Sequence, residues 1–116
     1  MVDAPNSSTG TAWFLLLLAG ISEIAWAVGL KYTDGFSRLW PSAGTLAMMA
    51  VSVVLLALAL KQIPLGTGYA VWTGIGEVGT AIVGIVAFNE SRDLMRLLFI
   101  GLIVAGIVGL KIVSTE

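Results

Sequence analysis

Four apolar stretches follow one another through this chain, at about residues 11–31, 41–61, 66–88 and 94–113. Each is close to the roughly 20 residues that a membrane-crossing helix needs. Residues of the AVILMFWYC set make up 58% of the sequence and charged residues 11%; soluble domains run near 45–50% and 25%. Mean hydropathy is +0.99. The chain is therefore expected to be an all-α membrane protein with four transmembrane helices per protomer.

Punctuation between the runs supports this division. "KYTDGFSRLWP" is a polar loop with an Asp-Gly turn signal. Pro41 suits the first turn of a helix, and "KQIPLGTG" is a short turn around Pro64. "FNESRDL" offers Asn89, Ser91 and Asp93 as helix caps. Trp13 and Trp40 stand near span ends, where indole rings favour the membrane interface. Residues 1–10 read as a disordered polar tail, 11–113 as the four-helix transmembrane domain and 114–116 as a short tail. The first tail carries Asp3 and no Lys or Arg, unlike the basic start of a secretory signal.

Several function classes fall away on composition. There is no cysteine and no histidine, so disulfides, thiol catalysis, thiolate metal sites and imidazole chemistry are absent. The net charge of -1 gives no nucleic-acid footprint. No enzyme, cofactor or metal site is expected. All chemistry must lie within the bilayer or at its faces, and four helices enclose little space, so a solute pathway calls for a second copy.

Against this background one residue stands out. Glu23 is the only charge inside the first span and lies roughly 3 Å from its mid-depth. An acid at a helix centre costs on the order of 3 kcal/mol and normally faces water or an internal partner. Two readings compete: a structural carboxyl hydrogen-bonded between helices, or a functional group. Trp26 shares its face at i+3, while Gly20 and Ala27 leave room beside it. Ser52 lies near the middle of the second span, and Tyr69 and Trp72 form an i, i+3 pair in the third. One acid, two hydroxyls and two indoles at similar depth describe a cation site, with Ser52 and Tyr69 orienting the carboxylate and the rings facing a cation. The bland alternatives are a Ser52 bonded to its own i-4 carbonyl and aromatic residues that merely pack.

The third span holds Gly66, Gly68, Gly74, Gly76, Gly79 and Gly84. Gly74 and Gly76 are candidates for a hinge or for close helix packing, and the two roles are compatible. In the fourth span Gly101, Ala105 and Gly109 repeat every four residues, a small-residue stripe for helix association. Glu77 sits at the centre of the third span, about 80° around the helix from Tyr69 and about 140° from Trp72. It is a candidate accessory carboxylate with three competing roles: a second proton site, a neutral donor to a neighbouring helix, or an adaptation to a larger or more highly charged cation.

With an even number of spans both termini share a side. That side carries Lys61 and Lys111, and the other carries Lys31, Arg38, Arg92 and Arg96. Lys/Arg bias sets orientation, and this bias is weak. Either the termini face outward, or both orientations insert.

Taken together, "AGISEIAWAVGLKYTDGFSRLWPS", "IPLGTGYAVWTGIG" and "GLIVAGIVGLK" resemble the small multidrug resistance family over about residues 12–113. The resemblance implies a four-helix protomer that forms an antiparallel homodimer in the cell membrane and exports cations in exchange for protons. Trp26 in "SEIAWAVGLKY" and the run "YAVWTGIG" are more similar to its guanidinium-exporting branch; the quaternary-ammonium branch typically has glycine in place of Trp26. By that resemblance Glu23 maps to the acid that binds proton and substrate. Trp26, Ser52, Tyr69 and Trp72 map to its supporting network, Gly74 and Gly76 to the hinge, and Gly101, Ala105, Gly106 and Gly109 to the dimer-forming helix. One position departs: guanidinium exporters usually have a small apolar residue where this chain has Glu77. The expected partners are guanidinium or a related small organic cation, protons, lipid and a second copy. The competing readings are a quaternary-ammonium or polyaromatic drug exporter, a small dual-topology ion channel, and a subunit of a larger complex.

Overall fold

In lipid no water is available to a free peptide group, so an apolar run must close its own hydrogen bonds, as a helix does. The computed structural model describes residues 7–113 and contains four such helices: α1 (Ser7–Tyr32), α2 (Leu39–Ala59), α3 (Leu65–Ala87) and α4 (Leu94–Val113). All four are long and apolar enough to cross a membrane. α1 begins at Ser7, so residues 7–10, expected as tail, form its first turn. The other boundaries fall within two residues of those read from the sequence. The remaining parts of the two expected tails, 1–6 and 114–116, lie outside the described residues.

Turn chemistry fixes the connections. Asp34, Gly35 and Phe36 all have left-handed φ values of 50°, 70° and 66°, a conformation that a bulky Phe rarely adopts. Buried Thr33 holds this turn together. Its Oγ1 donates to Leu30 O at 2.8 Å and accepts the Phe36 N–H at 3.2 Å. Its carbonyl accepts the N–H groups of Ser37 and Arg38. Asn89 ends α3 from the left-handed region, with φ 58°. The Phe88 and Glu90 N–H groups return to Gly84 O, which satisfies carbonyls that a helix end leaves open. Of the expected caps, Asn89 thus serves the C-terminus of α3. Asp93 starts α4 through its backbone carbonyl, which accepts the Leu97 N–H.

Ring contacts at the two ends confirm an up-down arrangement. Lys111 Nζ of α4 lies 4.8 Å from the Trp13 ring of α1. At the opposite end Lys31 Nζ lies 5.2 Å from the Phe88 ring, beside the Tyr32–Phe88 ring pair. α1 is the hub, packed against α2 and α3, and the backbone of α4 comes close only to that of α3. The buried apolar core runs through Ala12, Leu16, Ala19, Leu56, Ala59, Ile63 and Val71. α4 contributes no buried residue to it. The protomer measures 46 × 36 × 18 Å; since one helix is about 10–12 Å across, it is a slab less than two helices thick.

Small residues set the α1–α3 distance. A methyl group on Gly20 would lie 2.5 Å and 2.7 Å from Ile75 Cγ2 and Cβ, atoms anchored to the α3 backbone. On Gly79 it would collide with the Ile24 side chain. α3 runs unbroken through Gly74 and Gly76, and both are packing positions, Gly74 beneath Ile107 and Gly76 beneath Glu23. Gly20→Ala is therefore expected to destabilise the fold by about 1–3 kcal/mol through overpacking. Gly10→Ala meets nothing within 4 Å and should stabilise slightly through helix propensity. Equilibrium unfolding in detergent checks both; equal stability of the two variants would contradict the packing account.

Candidate functional site

Glu23 leaves the inner face of α1 toward α3. Its carboxyl group lies directly on Gly76, where any β-carbon would overlap it. One carboxylate oxygen, Oε1, is fully buried and has no hydrogen-bond partner. An unpartnered buried acceptor costs about 1–3 kcal/mol, so the site calls for a donor.

Beside this oxygen opens a cavity of about 350 Å³. Glu23 and Ala27 line it from α1, and Gly76, Glu77, Thr80 and Ala81 from α3. Glu90 and Arg96 close one end. Arg96 Nη2 pairs with Glu90 Oε1 at 2.9 Å, and its Nη1 donates to Ser91 O at 2.8 Å. Thr80 Oγ1 is a second buried polar atom with no partner. Three carboxylate residues and one arginine therefore line one space whose walls are otherwise largely apolar.

The other sequence candidates form a second cluster. Ser52 Oγ donates to Ala19 O at 2.8 Å and accepts from Trp72 Nε1 at 3.0 Å. Tyr69 meets the Trp72 ring edge-on, with centroids 5.2 Å apart. The Ser52 hydroxyl thus crosses to α1 instead of turning to its own helix. In an α-helix the carbonyl at i-4 accepts the N–H of residue i, so the bonded Ala19 carbonyl is the one beneath Glu23. The cluster ties to Glu23 through the α1 backbone. Within one protomer no hydrogen bond joins Ser52 or Tyr69 to the Glu23 carboxylate. Tyr69 is 50% exposed, and Trp26 Nε1 is buried without a partner.

Glu77 stands on the cavity wall with Glu23, as its angular position near the Tyr69 face allowed. Gly101 and Gly106 are exposed on α4, and a β-carbon on either, or on Gly109, would meet nothing within 4 Å. Ala105 is exposed as well. Sequence reasoning missed Thr80, Glu90 and Arg96. Thr80 could have been found from its position one turn beyond Gly76. The Glu90–Arg96 pair forms across a turn between helices, where periodicity gives no signal.

A family model described as "Small Multidrug Resistance protein" matches residues 11–103. The chain belongs to the small multidrug resistance family. It is 62% identical over 103 residues to the guanidinium exporter of Yersinia pseudotuberculosis, covering 89% of this chain and 99% of that protein. The guanidinium exporter of Salmonella typhimurium is 58% identical over 101 residues, covering 87% and 96%. That of Citrobacter freundii is 57% identical over the same length. These family relatives are transporters, and with four spanning helices this chain is a multi-pass membrane protein.

Ser52 is the joint between α1, α2 and α3. Ser52→Ala removes the donor to Ala19 and the acceptor for Trp72, and should destabilise the protein by about 1–3 kcal/mol. The Trp72 indole N–H resonance should move upfield as its hydrogen bond is lost. An unmoved resonance would contradict the assignment of that bond.

Proposed function

We propose that the protein is a proton-coupled antiporter in the cell membrane that exports guanidinium and small guanidinyl cations. Protons and substrate bind in competition at Glu23 of both protomers. The observation that carries this reading is the Glu23 carboxylate: deep in a spanning helix, seated on Gly76, with a buried oxygen that lacks a donor, on the wall of a cavity it shares with Glu77, Glu90 and Arg96. The names of the relatives support the choice of cation.

The chemistry follows from the carboxylate. Two coplanar oxygens accept paired N–H donors of a planar guanidinium. A quaternary ammonium ion has no such donors and gains only charge and ring contacts. Since a proton and a cation need the same oxygens, loading one displaces the other, and exchange results.

The functional unit in this reading is an antiparallel homodimer. The thin protomer encloses no path of its own, and α4 presents Gly101, Ala105, Gly106 and Gly109 to open space. Two opposed copies make an inverted repeat, which gives alternating access when the protomers exchange conformations. The weak Lys/Arg bias fits insertion in both directions. Trp26, Ser52, Tyr69 and Trp72 support the paired carboxylates, with the half-exposed Tyr69 free to act across the dimer. Gly74 and Gly76 are the points where α3 bends during the cycle.

Glu23→Gln keeps the shape and removes the charge. In reconstituted vesicles it should abolish proton-coupled guanidinium exchange and pH-dependent guanidinium binding, while the protein remains folded. Exchange at the wild-type rate in that variant would refute the mechanism.

A further inference from the structure

Resting on the export reading above, we propose that Glu77 is a second cation contact in the Glu23 cavity, so that the site takes elongated dications with a guanidinium at one end and an ammonium or second guanidinium at the other.

Glu77 follows Gly76, the residue on which the Glu23 carboxyl rests. Consecutive α-carbons are about 3.8 Å apart, and both carboxylate-bearing side chains line the same cavity. Two carboxylate side chains therefore line one space, Glu23 half-buried and Glu77 exposed.

Charge comes next. Arg96 already has its partners, Glu90 and the Ser91 carbonyl. Elsewhere Lys31 and Lys111 lie over aromatic rings at the two ends of the protomer. Among the described residues neither Glu23 nor Glu77 has a cationic partner or a side-chain hydrogen bond. A monocation neutralises one of them; a dication answers both at once.

Unsatisfied polar atoms and size point the same way. Glu23 Oε1 and Thr80 Oγ1 are buried without partners, and both residues line this cavity. Buried polar groups of native proteins are normally paired, and rotation of either side chain would turn its oxygen toward N–H donors of a ligand in the cavity. The volume of about 350 Å³ falls in the range of pockets for drug-sized ligands, about 300–1,000 Å³. One carbon and three nitrogens leave much of it empty.

The test compares guanidinium with 4-aminobutylguanidinium by uptake of the labelled cations into vesicles containing the full-length protein, a readout that registers electroneutral exchange as well as electrogenic exchange. Wild type should transport both. Glu77→Gln should lower the ratio of kcat/KM for the dication over guanidinium at least tenfold, and Glu77→Asp, which keeps the charge, should retain most of that ratio. An unchanged ratio in a folded Glu77→Gln protein overturns the proposal, and so does a wild type that takes up guanidinium but no dication. Equal loss of both uptakes in that variant also overturns it, because Glu77 would then serve every substrate. A wild type that carries neither cation refutes the export reading itself, and this proposal with it.

Discussion

The close approach of α1 to α3 governs this molecule. Lipid tails are as apolar as leucine, so membrane helices gain little from hiding apolar surface against each other. They associate where small residues let atoms pack. Here Gly20 receives Ile75, Gly79 receives Ile24, and between them Gly76 receives the Glu23 carboxyl group. The packing that holds the two helices together is the same packing that seats an acid in the protein interior. A larger residue at Gly76 would displace both.

The hydrogen bonds of Ser52 complete that framework from the other side. A single hydroxyl joins α2 to the α1 backbone at Ala19 and to the α3 indole of Trp72. The depth and direction of Glu23 are thereby fixed by three helices through contacts that never touch its carboxylate. α4 stands apart, docked on α3 with no buried residue of its own. One protomer is thus a three-helix body with a fourth helix at its edge.

Much of this was legible in the sequence, for identifiable reasons. Apolar run length is set by bilayer thickness, so the helices lie where composition put them, apart from the earlier start of α1 at Ser7. Glu23 was visible because a lone charge in an apolar run has no other explanation than a partner or a pathway. Other features depend on helix crossings, which periodicity does not encode. The Ser52 acceptor is a backbone carbonyl, identical in every residue type. Thr80 lies one turn beyond Gly76 on α3, whereas Glu90 and Arg96 reach the cavity because the chain turns at Asn89 and returns Glu90 over Gly84. Likewise, the left-handed Phe36 reflects the hydrogen bonds of Thr33 rather than any preference of its own.

Obligatory exchange through one carboxylate site is the central claim, and it has a direct measurement. Vesicles containing the protein are loaded with guanidinium and diluted into guanidinium-free buffer at the same pH, with the membrane potential held at zero by potassium and valinomycin. Internal pH is followed with a trapped dye. The account predicts that the lumen acidifies as guanidinium leaves, because each departing cation is exchanged for protons. Guanidinium efflux with no change in internal pH would contradict it and describe a channel or uniporter instead.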